Sequence, residues 1–163
     1  IELQGLHMKS FSLNCVELQE YQKNRYPFLM IDHVDEVIPG ESAKGYKNLT
    51  MNEWFFPVHY PDEPNMPGVL QQESLAQMLT IAIKTLPGYK EKSTRFISTN
   101  MKFHKEILPG DKMILDTRVT FWSRGIFKGT GISYTNGTIA GESEMVICFP
   151  DILEQYLPKK NTK

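Results

Sequence analysis

Two different periods of hydrophobic positions divide this chain. From Phe28 the run FLMIDHVDEVI reads as a strand, Pro39-Gly40 as a turn and ESAKGYKNLT as the partner strand, which together predict a hairpin. Upstream, Asn14 with Glu17 three residues on comes close to a capping box. It predicts a short helix through Glu20 that ends before Arg25-Tyr26-Pro27. Pro67 suits a first helical turn, where its missing N–H is not needed, and Pro87-Gly88 is a stop. Between them a helix of about 19 residues is expected, from Gly68 to Leu86. Its side chains are mostly Val, Leu, Ala, Met, Ile, Gln, Ser and Thr, and only Glu73 and Lys84 carry charge. A helix so uncharged all round is expected to be buried.

After Gly88 the period falls to two. RFISTNMKFHKEI, MILDTRVTFW, FKGTGISY and TIAGESEMVICF alternate or run apolar at strand length. Pro109-Gly110-Asp111, Ser123-Arg124-Gly125 and Asn136-Gly137 punctuate them, Asn-Gly being the strongest hairpin signal of the three. The later turns are too short for crossovers, so the connections are antiparallel. The tally is an α+β domain: a curved antiparallel sheet of about six strands wrapped around one long central helix, the hot-dog fold.

Composition narrows the setting. A chain of 163 residues, 40% hydrophobic, fits one compact domain, assigned to residues 8–157. Ile1 to His7 read as a cloning scar ahead of Met8, and Pro158 to Lys163 as a flexible polar tail. A formal net charge of -1 with 23% charged residues offers no basic field for a phosphate backbone, so nucleic acid is not expected as a partner. Cys15 and Cys148 form neither a CxxC pair nor a disulfide framework, which reads as cytoplasmic usage without a metal. No apolar run approaches the roughly 18 residues of a membrane span, so a soluble protein is expected.

Two ionisable residues then stand out. Glu73 lies too far into its apolar helix for the helix dipole to explain it. If buried, its pKa should rise; the alternative is an exposed helix edge beside Gln72 and Gln77. His59 stands between Phe55-Phe56 and the prolines Pro61 and Pro64, where a neutral imidazole would serve as a general base. The alternative is a core histidine satisfied by a backbone carbonyl. Gly68 offers an N–H at the helix N-terminus with no side chain to block approach, which suits a developing oxyanion, although capping alone also explains Pro67-Gly68.

At these positions the sequence resembles the (3R)-hydroxyacyl-acyl carrier protein dehydratases of the FabZ type. The resemblance rests on Arg25-Tyr26-Pro27-Phe28-Leu29, Asn48-Leu49-Thr50, Phe55-Phe56, His59-Tyr60-Pro61, Met66-Pro67-Gly68-Val69-Leu70 and Glu73-Ser74-Leu75-Ala76-Gln77. Lys102-Phe103, Leu108-Pro109-Gly110-Asp111 and Gly141-Glu142-Ser143-Glu144-Met145 extend it, so that it runs from about Tyr21 to Ile147. It implies His59 and Glu73 as the catalytic pair and Gly68 as the residue that polarises the thioester. Val58, Phe56, Tyr60 and Gln77 are the further substrate contacts expected. It also implies a carrier-protein substrate on a phosphopantetheine arm, an acyl tunnel, no cofactor, and a homodimer, commonly three dimers in a hexamer, in which His59 of one subunit faces Glu73 of the other. Glutamate at 73, where the isomerising FabA type has aspartate, favours plain dehydration.

The chain departs from that pattern in places. Val58 and Asp62 replace glycines flanking the histidine, and Asn24 replaces a histidine, which puts substrate scope in question. His33 and His104 read as surface or structural residues. Arg95, Lys102, Lys105 and Lys128 read as solvated strand residues, with contact to an acidic carrier as the other reading. Two other functions stay open: a hot-dog acyl thioesterase, and a non-catalytic acyl-carrier binding protein.

Overall fold

The computed structural model describes residues 8–158. Seven strands form one sheet: β1 (Phe11–Leu13), β2 (His33–Ile38), β3 (Ser42–Asn48), β4 (Arg95–Phe103), β5 (Lys112–Ser123), β6 (Ile126–Thr135) and β7 (Thr138–Cys148). Their order is β1-β2-β3-β5-β6-β7-β4, and every neighbouring pair is antiparallel. The long helix α1 (Gly68–Lys84) packs against β5, β3 and β6, and the single turn α2 (Pro150–Leu153) follows β7.

Turn chemistry sets the register of the last three hairpin strands. Arg124-Gly125 and Asn136-Gly137 each place two residues at positive φ, and the flanking pairs Ser123↔Ile126 and Thr135↔Thr138 close two-residue loops. These twists match the strand twist, as two positive-φ residues do in hairpins. Within β5 and β6 alternate residues turn inward, with Met113, Leu115 and Phe127 buried. Gly129 lets the helix come close: a Cβ there would stand 2.6 Å from the Leu79 methyls.

α1 is buried along nearly all its length, including Leu75, Met78, Leu79, Ile81, Ala82 and Ile83. It ends at Lys84 rather than Leu86, where Thr85 caps it and its Oγ1 donates to the Ile81 carbonyl at 2.9 Å. The sheet therefore curls around an apolar rod. This is a hot-dog fold.

The sheet has seven strands rather than about six. β1 is three residues long and pairs with β2 from outside, too short to show a period. The first hairpin strand begins at His33, not Phe28. Backbone groups of Phe28 and Met30 are taken by a helix side chain: Gln77 Nε2 donates to the Phe28 carbonyl at 2.8 Å, and Met30 N–H donates to Gln77 Oε1 at 2.8 Å. β4 stops at Phe103 because the N–H groups of His104 and Lys105 both turn to the Ala140 carbonyl. The Asn14–Glu17 box forms reciprocally, with Glu17 N–H on Asn14 Oδ1 at 3.0 Å and Asn14 N–H on Glu17 Oε2 at 2.9 Å. It starts one 3₁₀ turn, Glu17–Glu20. Residues 1–7, read as a cloning scar, and most of the polar tail lie outside the described residues.

Candidate active site

The loop from Leu49 to Pro67 is pinned at its start by charge. Lys47, almost fully buried near the end of β3, places Nζ 2.7 Å from Glu53 Oε1 and 3.3 Å from Asp32 Oδ2. Asp32 Oδ2 also accepts the Asn48 N–H at 2.8 Å. Phe55 and Phe56 then plunge into the core, their ring centroids 4.7 Å apart. Two aromatic anchors and one ion cluster hold the stretch that leads to His59.

His59 is half-buried, and its backbone and side chain are both tied to Asn65. Asn65 N–H donates to the His59 carbonyl at 2.9 Å, and His59 Nδ1 lies 3.0 Å from the Asn65 carbonyl. A carbonyl only accepts, so Nδ1 carries the hydrogen in this bond. In the neutral ring Nε2 then holds the lone pair. Tyr60 stacks on the imidazole at 4.3 Å between centroids. Reciprocal bonds between Tyr60 and Glu63 close the turn whose tip holds exposed Asp62, and among the described residues no hydrogen bond or ion pair joins Asp62 to His59.

Gly68 opens α1, where a first-turn N–H has no intrahelical acceptor. The edge of the Phe103 ring covers it so closely that a Cβ would lie 2.7 Å from two ring carbons. Gly68 and Asn65 share a recess of about 440 Å³ with Met66, Phe103 and Ile107.

Glu73 lies one turn further along, half-buried. Its Oε1 accepts from Gln77 Nε2 at 2.8 Å. Burial raises its pKa above the ordinary carboxylate range, and the Gln77 bond offsets part of that rise. Glu73 does not line the recess of Gly68. It opens on a separate groove of about 310 Å³ with Ala76, Gln77, Thr80 and Lys84. Within one protomer, then, His59 and Gly68 are linked through Asn65, while Glu73 faces another opening.

The remaining predicted contacts divide. Gln77 is buried and clamps Glu73 to the Phe28–Met30 segment. Phe56 is fully buried in the core. Val58 and Tyr60 are exposed, at 64% and 56%. His33 stacks on Tyr46, and His104 Nε2 lies 2.7 Å from Glu142.

Sequence reasoning missed three features. The tie between His59 and Asn65 uses a backbone carbonyl and so leaves no side-chain signal. Lys84 was visible only as a charge in an apolar helix; its spacing from Glu73 was the available clue. The buried amides Gln71 and Gln72, bonded to Ser133 and Ser143 at 2.6 Å each, read simply as uncharged helix residues.

Comparison with known proteins gives the chain a family. A FabA-like domain matches residues 23–147. The chain is 42% identical to the 3-hydroxyacyl-[acyl-carrier-protein] dehydratase FabZ of Clostridium novyi, over 83% of this chain and 96% of that protein. It is 40% identical to the Enterococcus faecalis protein of the same name, over 82% and 95%. Among solved structures, the dehydratase heterocomplex ApeI:P from Xenorhabdus doucetiae superposes with a TM-score of 0.71 at 13% identity, covering 87% of this chain and 97% of that one. At that identity the likeness concerns the fold. The chain belongs to the FabA-like family, in its FabZ-type group.

Proposed function

We propose that residues 8–157 act as one dehydratase domain that converts (3R)-3-hydroxyacyl-acyl carrier protein to the trans-2-enoyl thioester in the cytoplasm, in fatty-acid or related lipid or polyketide biosynthesis. The observation that carries this reading is the contrast between two groups. His59 has its Nδ1–H engaged by Asn65, which leaves Nε2 as a base, whereas burial favours the protonated acid form of Glu73. FabZ dehydratases among the relatives lend it chemical identity.

In the elimination, Gly68 N–H receives the thioester oxygen as negative charge develops. His59 Nε2 takes the C2 proton. Glu73 gives its proton to the C3 hydroxyl, the C3–O bond breaks, water departs and the C2–C3 double bond forms. In this reading the complete site combines His59 and Gly68 of one copy with Glu73 of the partner subunit, which the separate recesses of Glu73 and Gly68 in one protomer support. The open edge of β4, with Phe96, Ile97 and Phe103 exposed, offers the surface for a homodimer, which could stack further into a hexamer.

An assay of wild type, His59→Ala and Glu73→Gln on 3-hydroxyacyl carrier-protein substrates tests this reading. Enoyl product from wild type, lost in both variants, is expected. Free thiol would mean a thioesterase, and binding without either product a carrier-binding protein.

A further inference from the structure

The groove that holds Glu73 runs on along α1 past Ala76, Gln77 and Thr80 to Lys84. Positions 73 and 84 are about three helical turns apart, so they share one face at roughly 16 Å along the axis. Lys84 is only 3% exposed, yet it lines the groove and has no hydrogen-bond or ion-pair partner among the described residues. The other cations on the wall are engaged. Lys23 Nζ donates to the Glu91 carbonyl, Lys92 Nζ lies 2.5 Å from Asp151 Oδ2, and Arg95 Nη1 donates to the Thr94 carbonyl at 2.9 Å.

The Lys84 side chain is enclosed but its Nζ opens on the groove, and packing an apolar group against an unpaired ammonium there is costly. The groove around it is largely polar, with Gln22, Asn24, Ser93 and Thr94 on its walls. A plain alkyl chain reaching its end would leave that ammonium stranded. An anion would complete it.

We propose that this groove receives the acyl chain of the substrate and that Lys84 binds a carboxylate at the chain's far end. The substrate class is then a 3-hydroxyacyl thioester whose acyl group is ω-carboxylated. This deepens the dehydratase reading above and rests on it, because it places C3 at Glu73.

The charge state suits the task. Burial first, then repulsion from Lys23, with Glu91 opposing, lowers the Lys84 pKa to about 8. The ammonium therefore predominates at pH 7. The charged groups around the groove are Lys23, Glu91, Lys92 and Arg95 from neighbouring segments and Glu73 on the same helix.

The test compares matched N-acetylcysteamine thioesters, which lack the phosphate of the natural arm, ending in methyl or carboxylate. Wild type should favour the carboxylate about tenfold or more in kcat/KM at pH 7, the worth of one charged hydrogen bond. That preference should fade as pH rises through and above 8. Lys84→Met, close in volume, should abolish the preference while still turning over the methyl substrate. Equal use of both substrates by wild type, or a preference that survives Lys84→Met, overturns the proposal. So does a variant defect confined to phosphopantetheine-borne substrates whatever their chain end, which would assign Lys84 to the arm's phosphate. If wild type dehydrates neither thioester nor any carrier-protein substrate, the dehydratase reading itself fails and this one falls with it.

Discussion

Gln77 Nε2 donates to Glu73 Oε1 at 2.8 Å while the same amide grips the Phe28 carbonyl and the Met30 N–H. The carboxyl proposed as the acid is thereby fixed to a segment 40-odd residues upstream by one side chain. Gln77→Met removes the donor that opposes the pKa rise of Glu73, so that pKa climbs further. With the protonated form as the proposed acid, the alkaline limb of kcat should move to higher pH. A loosely held acid should also lower kcat about tenfold, and the orphaned backbone groups should cost about 2 kcal/mol in urea unfolding.

Glu73 itself carries a stability signature. Its folded pKa is raised by burial, so its contribution is fully present below the unfolded value, about 4.3, and is lost as pH rises through the folded value. Glu73→Gln, which keeps an oxygen for Gln77, should therefore be as stable as wild type at pH 4 and more stable at pH 8. Denaturant midpoints at the two pH values measure this, and an inactive but stabilised variant is the expected outcome.

Gly68→Ala should fail for steric reasons. The new Cβ meets the Phe103 ring at 2.7 Å, beside the N–H proposed to receive the thioester oxygen. A loss of about 100-fold in kcat/KM is expected, in line with removal of one oxyanion donor. Adding Phe103→Leu should recover most of the lost thermal stability, because the two sites share one contact.

Lys47→Met should destabilise the loop that leads to His59. It leaves Asp32 and Glu53 facing each other without their shared cation. Both carboxylates keep some contact with solvent, so the cost should be about 2 kcal/mol, below that of a fully buried pair. A cycle with Glu53→Gln should show coupling near 1 kcal/mol between the two positions.

Much of this was legible in the sequence because the signals were local. The Pro67 start, the Asn136-Gly137 turn and the uncharged helix face are each written in neighbouring residues. The hot-dog arrangement followed from their sum. β1 was invisible because three residues carry no period, and the strand start at His33 was obscured because Phe28 and Met30 are apolar yet bond to Gln77. At the site, the identities of His59, Glu73 and Gly68 stood out as local oddities. The separation of Glu73 and Gly68 into two openings is a property of the packed sheet and helix, which no spacing encodes.

The open edge of β4 has a last consequence. If catalysis needs groups from two copies held at that edge, specific activity must fall as enzyme is diluted below the dissociation constant of the pair, and excess substrate alone will not fully restore it. The same unpaired strand, with Phe96 and Ile97 bared, also invites mispairing in any protomer that loses its mate. On the proposed assembly, pairing and solubility are thus one problem, set by nine residues from Arg95 to Phe103.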